Sequence, residues 1–97
     1  MNILCIGDIV GSNGCRFLRS HLPHLKKIKQ VDLVIANGEN SADGNGLTPA
    51  SVDYLFHSGV DVITSGGKAI PFTIRQKPWF ALPISQIPLR RAMVCVW

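Results

Sequence analysis

Ninety-seven residues, 46% of them hydrophobic, bound the chain to one small domain or part of a larger one and exclude a disordered polymer. A net charge of +4 invites a nucleic-acid reading, yet residues 1–66 hold all six acids with five bases, whereas residues 67–97 hold five bases and no acid. No apolar run approaches the roughly 20 residues of a membrane span. The start Met1-Asn2-Ile3-Leu4 has no basic n-region, which argues against a signal peptide. Three cysteines without C-x-x-C spacing argue against a disulfide framework or zinc knuckle and fit a cytoplasmic home.

In chain order, "NILCIG" is a continuous apolar run ending in Gly7-Asp8, as expected of a parallel strand buried on both faces. "GCRFLRSHLPHLKKIKQ" follows, with Phe17, Leu18, Leu22, Leu25 and Ile28 at helical spacing and Pro23 expected to kink or split the helix. "VDLVIANG" reads as a second buried strand and "TPASVDYLFHSG" as a second helix. In that helix Thr48 suits the N-cap, Pro49 the first helical position and Gly59 the residue just past the end. "VDVITSG" is a third strand. The order β-α-β-α-β with short connections predicts an α/β fold with a parallel sheet and right-handed crossovers.

After Gly66 the composition changes abruptly. Residues 67–97 carry four of the six prolines, both tryptophans and a net charge of +5. The chain therefore divides into an ordered α/β portion, 1–66, and a basic, Pro-rich tail, 67–97.

Ligands of parallel α/β sheets gather beyond the carboxyl ends of the strands. Those ends read "GDIVGSNG", "NGENSADGNG" and "TSGGK", which crowd Asp8, Asn37, Glu39, Asn40 and Asp43 onto one rim. Carboxylates and amide oxygens converging in this way suit a hard or borderline divalent cation. Capping and turn-forming roles are the competing explanation for any single Asp or Asn. Gly7, Gly11 and Gly14 do not make a dinucleotide fingerprint, and no P-loop occurs. His21, His24 and His57 read as helix-surface residues and Cys15 as packing.

"ILCIGDIVGSNG", "VIANGENSADGNGLT" and "SGVDVITSG" closely resemble the YmdB-like family of calcineurin-like metallophosphoesterases. The resemblance covers about residues 1–66. It implies the N-terminal β-α-β-α-β portion of a four-layer αββα sandwich whose C-terminal part this chain lacks. It also implies a dinuclear iron or manganese phosphodiesterase with substrates of the cyclic-nucleotide class.

Carried over by position, Asp8 and Asn40 match ligands of one metal and Glu39 matches the bridging carboxylate. Where the family continues G-N-H, this chain has Gly66-Gly67-Lys68. Gly67 thus replaces a ligand of the second metal, and Lys68 replaces the proton-donor histidine. The resemblance implies at most one weakly held cation here and little or no activity.

An alternative reading frame across Pro78–Gln86 permits Leu-Val-Arg-Pro-Ala-Asn-Phe-Pro, close to the R-P-A-N-[YF]-P with which family members continue. The tail therefore reads as out of frame. The reading from a different class is a non-catalytic binding module. Its basic, Trp-containing tail would contact acidic partners, although no helix or nucleic-acid motif organises the bases.

Overall fold

A computed structural model describes residues 1–43, 46–66 and 93–96. The elements run β1 (Ile3–Ile6), α1 (Gly11–Ile28), β2 (Leu33–Asn37), α2 (Pro49–His57), β3 (Val62–Ser65) and β4 (Met93–Val96). The four strands form one parallel sheet in the order β1-β2-β3-β4, with Ile3 opposite Leu33, Ile35 opposite Val62 and Val62 opposite Met93. The expected β-α-β-α-β order is present. β4 is a finding that the sequence reading does not contain, and the remainder of the tail, with Gly67 and Lys68, lies outside the described residues.

Both helices pack on one face of the sheet, as two crossovers of the same hand between neighbouring strands require. The core is built from Leu18 and Leu22 of α1, Val52 and Leu55 of α2, and Val34, Ala36 and Ile63 of the strands. Alternation does the sorting: Val34, Ala36, Ile63 and Ser65 are buried, while their strand neighbours Leu33, Ile35, Val62 and Thr64 are half-buried on the opposite face. Ile3 and Cys5 are exposed on that face. The expectation of strands buried on both faces holds only for the helix side among the described residues.

Helix α2 is specified locally. Thr48 caps it, accepting from Ser51 N at 3.1 Å while Ser51 Oγ accepts from Thr48 N at 3.0 Å, and Pro49 opens the first turn. Gly59 follows the Ser58 C-cap at φ +111°, a conformation that costs glycine nothing.

Helix α1 departs from expectation in two ways. It runs through Pro23 as one helix. Pro23 and Arg19 are both exposed, so water can serve the Arg19 carbonyl that loses its helical donor. Phe17 and Ile28 are also exposed, by 66% and 58%, because the buried stripe is narrower than the apolar spacing suggests. Phe17 is rotated about 100° from Leu18 and stacks on His21, with ring centroids 4.0 Å apart.

Two acids are spent at the amino edge of the sheet. Asp32 Oδ2 accepts from Asn2 N at 2.7 Å, and Asp61 Oδ2 accepts from Val34 N at 2.8 Å. Each Asp immediately precedes a strand and accepts from a backbone N–H alongside it, that of Asn2 just before β1 or of Val34 within β2. Both carboxylates are thereby removed from the carboxyl edge, where ligands gather.

Candidate metal centre

The loops leaving β1 and β2 are tied together by backbone bonds. Ile9 N donates to Asn37 O at 3.1 Å and Gly11 N to Asn40 O at 2.9 Å, while Gly38 N donates to Thr64 O at 3.0 Å. The Asn37–Asn40 turn is therefore sewn to both neighbouring strands. Gly38 makes this possible. A Cβ there would lie 2.8 Å from Ile63 Cγ2 and 3.1 Å from Leu55 Cδ1, so the turn sits directly on the core only because the position has no side chain.

Asp8 and Asn40 face each other across this seam. The Asn40 side-chain amide donates to Asp8 Oδ1 at 2.9 Å and to Oδ2 at 3.0 Å. Glu39 is half-buried and turns toward β3, where its Oε2 accepts from Gly66 N at 2.9 Å. Asn37 Oδ1 accepts from Glu39 N at 3.1 Å, which shapes the turn. All three candidate ligands thus lie at the carboxyl edge. Asp8 and Asn40 are brought into contact, and Glu39 is held toward the end of β3.

Among the described residues no three of His, Cys, Asp and Glu stand close enough to hold a metal ion, so the candidate set depends on Asn40. Two carboxylates and an amide oxygen fit one hard or borderline divalent cation. Binding would require the Asn40 amide to turn its oxygen inward, replacing the bonds it now donates to Asp8.

Asp43 is the rim residue whose role the sequence left open. Its Oδ1 accepts from Ser12 N at 3.2 Å and Ser12 Oγ at 2.5 Å, and these bonds, ahead of the nearby Arg16 charge, lower its pKa. Cys15, expected to pack, is buried with its Sγ 3.7 Å from Ser41 O. Burial, followed by the charge of Asp43, pushes its pKa up. His21 and His57 lie on helix surfaces, each with Nδ1 bonded to the carbonyl one turn back, and His24 is exposed.

Among the described residues, cavities flank the rim. One of about 620 Å³ lies between the two helix N-termini, beside Ser12, Arg16, Asp43 and Tyr54, and contains none of the candidate ligands. Another, of about 320 Å³, is an apolar groove running from Asp8 along Val10, Phe17 and Leu25. The exposed ring of Phe17 forms part of its wall.

The described residues form a parallel βαβαβ unit with a carboxylate–amide pair at its carboxyl edge. The chain belongs to the YmdB-like protein family, whose family model matches residues 4–72. It is 46% identical over 66 residues to a 2′,3′-cyclic-nucleotide 2′-phosphodiesterase of Bacillus subtilis, covering 68% of this chain and 25% of that one. It is 34% identical over 93 residues to a protein of Mycoplasma genitalium named for phosphatase or phosphodiesterase activity, covering 96% of this chain and 32% of the relative. A phosphatase crystal structure from Mycoplasma pneumoniae superposes with a TM-score of 0.65 at 38% identity, covering 66% of this chain and 23% of that one. The chain spans about a quarter to a third of the length of the curated relatives it matches.

Proposed function

We propose that residues 1–66 are the N-terminal part of a metal-dependent phosphodiesterase of the cyclic-nucleotide class, within a four-layer αββα sandwich that the 97-residue chain only begins. The observation that carries this reading is the contact between Asp8 and Asn40 at the carboxyl edge, with Glu39 beside them on Gly66 N. Asp8, Glu39 and Asn40 would hold a single cation, iron or manganese. When bound, such a cation lowers the pKa of water and polarises a phosphoryl oxygen. The kinship with a 2′,3′-cyclic-nucleotide 2′-phosphodiesterase supports the substrate class.

The isolated chain is a weak or inactive form. Gly67 offers no ligand atom and Lys68 no acid of suitable pKa, since an ordinary lysine near ~10.4 gives up its proton reluctantly. No described helix is long and apolar enough to cross a membrane. Free Cys5 and Cys15 support a reducing, cytoplasmic setting.

The tail has two readings. The abrupt change of composition after Gly66 supports a shifted frame in residues 67–97. The parallel pairing of Met93–Val96 with β3, and a similarity to the Mycoplasma genitalium protein that runs over 96% of the chain, favour a tail that belongs to the fold. Sequencing the gene through the codons for Ser65 to Trp97 separates them: an extra or missing base that restores a family-like continuation supports the first. The functional proposal itself is tested by manganese-dependent hydrolysis of 2′,3′-cyclic nucleotides, before and after Gly67-Lys68 is replaced by Asn-His in a full-length relative's context.

A further inference from the structure

Helix α1 begins without a cap of its own. Its N-cap is Val10, which makes no side-chain cap bond, and no acid lies in its first turn. Gly11 sits at φ +63°, so the chain reverses sharply between Asp8 and the helix. The exposed amide donors of such a helix start need acceptors. The acceptor arrives from 31 residues away. Asp43 Oδ1 takes both Ser12 N, at 3.2 Å, and Ser12 Oγ, at 2.5 Å.

Asp43 itself stands at φ +24°, an uncommon conformation for a residue other than glycine, and it is held there by these bonds. From Asn40 to Asp43 the chain is also held by its own bonds, among them Ala42 N to Gly46 O at 3.1 Å and Ser41 Oγ to Ser51 Oγ at 3.1 Å. Asn40 O accepts from Gly11 N at 2.9 Å, and Ser41 N donates to Gly38 O at 3.0 Å. The Asp43–Ser12 and Asn40–Gly11 bonds form consecutive rungs between the two loops. Together with the Ile9 N–Asn37 O bond at 3.1 Å, they tie the two segments in the register in which Asp8, three residues before Gly11, meets the side chain of Asn40.

We propose that Asp43 is a positioning residue for the Asp8–Asn40 pair: it caps α1 across the loops and thereby fixes the two candidate ligands face to face. The inference rests on the functional reading only for what the pair does; the capping geometry stands without it. The role needs an acceptor oxygen, not a charge, and Asn is as good an N-cap as Asp. Asp43→Asn therefore preserves the device and Asp43→Ala removes it.

The test uses the 97-residue chain and two readouts. Amide exchange of Gly11 reports the loop-to-loop rung, with Val52 in α2 as an internal reference. Asp43→Ala should speed Gly11 exchange about fivefold, the factor of a typical lost N-cap, and Asp43→Asn should leave it near wild type. Unchanged Gly11 exchange in Asp43→Ala, or equal acceleration in both variants, overturns the proposal. Manganese binding, followed by the spin resonance of the free ion, should weaken by a similar factor in Asp43→Ala and recover in Asp43→Asn. Wild-type affinity in Asp43→Ala also overturns it.

If the wild-type chain binds no manganese, or binds it equally after Asp8→Ala, the metal reading fails and the exchange readout still decides the role of Asp43. Should Asp43→Ala not fold, Ser12→Ala removes only the hydroxyl bond. About twofold faster Gly11 exchange then supports the rung, and an unchanged rate rejects it.

Discussion

The side-chain amide of Asn40 donates to both carboxylate oxygens of Asp8, at 2.9 and 3.0 Å, across loops that leave neighbouring parallel strands. This contact pairs the anion with an amide donor and neutralises no charge. It makes the pair sensitive to any change that replaces the donor by a second anion. Asn40→Asp puts a half-buried carboxylate against the exposed one of Asp8, which costs on the order of 0.2–1 kcal/mol or more, the magnitude of a surface ion pair with its sign reversed. Thermal unfolding should fall by a few degrees without metal, at about 4–8 °C per kcal/mol for a domain of this size. Manganese should then raise it more than it raises wild type, because the added carboxylate binds the ion only in the folded chain. Equal melting temperatures of variant and wild type without metal, or no extra gain with it, would count against the geometry.

Gly38 offers a test of why the turn has its composition. Adding a Cβ there brings it to 2.8 Å from Ile63 Cγ2, 3.1 Å from Leu55 Cδ1 and 3.3 Å from Leu47 Cδ2, buried side chains of β3, α2 and the loop before α2. Gly38→Ala should destabilise by about 1–3 kcal/mol through overpacking. It should also shift Glu39 and Asn40, the residues that follow. A denaturant midpoint unchanged from wild type would show that the core yields at no cost.

The two described thiols should differ sharply. Cys5 is exposed on the open face of the sheet, whereas Cys15 is buried and its pKa is raised by burial and, secondarily, by the charge of Asp43. At pH 8 site-resolved mass spectrometry should find iodoacetamide on Cys5 at least about tenfold faster than on Cys15, since the thiolate is the nucleophile. A raised pKa means that the fold favours the neutral thiol. This contribution is fully present below the unfolded value near 9 and is lost as pH rises through the folded value. Alkaline destabilisation should therefore lessen in Cys15→Ala. Equal alkylation rates would place Cys15 at the surface.

How much of this was legible in the sequence follows from where each signal resides. The strands, the Thr48 cap, Pro49 and Gly59 are encoded within a few neighbouring residues, and the structure has them where the pattern put them. Parallel connectivity places Asp8, Glu39 and Asn40 after strand ends at one edge of the sheet, but not which side chains meet there: Asp8 meets Asn40, while Glu39 turns to Gly66 N. The partners of the acids were not legible, because they are set by register between distant segments. Asp32 and Asp61 serve backbone donors 30 and 27 residues away, and Asp43 serves Ser12 at 31. Pro23 and Phe17 misled for a local reason: periodicity gives the apolar spacing of α1 but not the width of the surface it covers. β4 was missed because its apolar run closes a proline-rich tail and has no strand or helix signals before it.

The central claim is that this chain holds one cation through Asp8 without completing a two-metal phosphodiesterase. It is tested most directly by titrating the purified 97-residue chain with manganese while assaying bis(p-nitrophenyl) phosphate hydrolysis in the same samples. The account predicts a single weak manganese site that Asp8→Ala abolishes, with hydrolysis no faster than manganese alone. General acid catalysis is typically worth roughly 10²–10⁴-fold, and Lys68 stands where the family has its proton-donor histidine. Manganese-dependent hydrolysis by the chain that is lost in Asp8→Ala would contradict the account and make these 97 residues an enzyme in their own right.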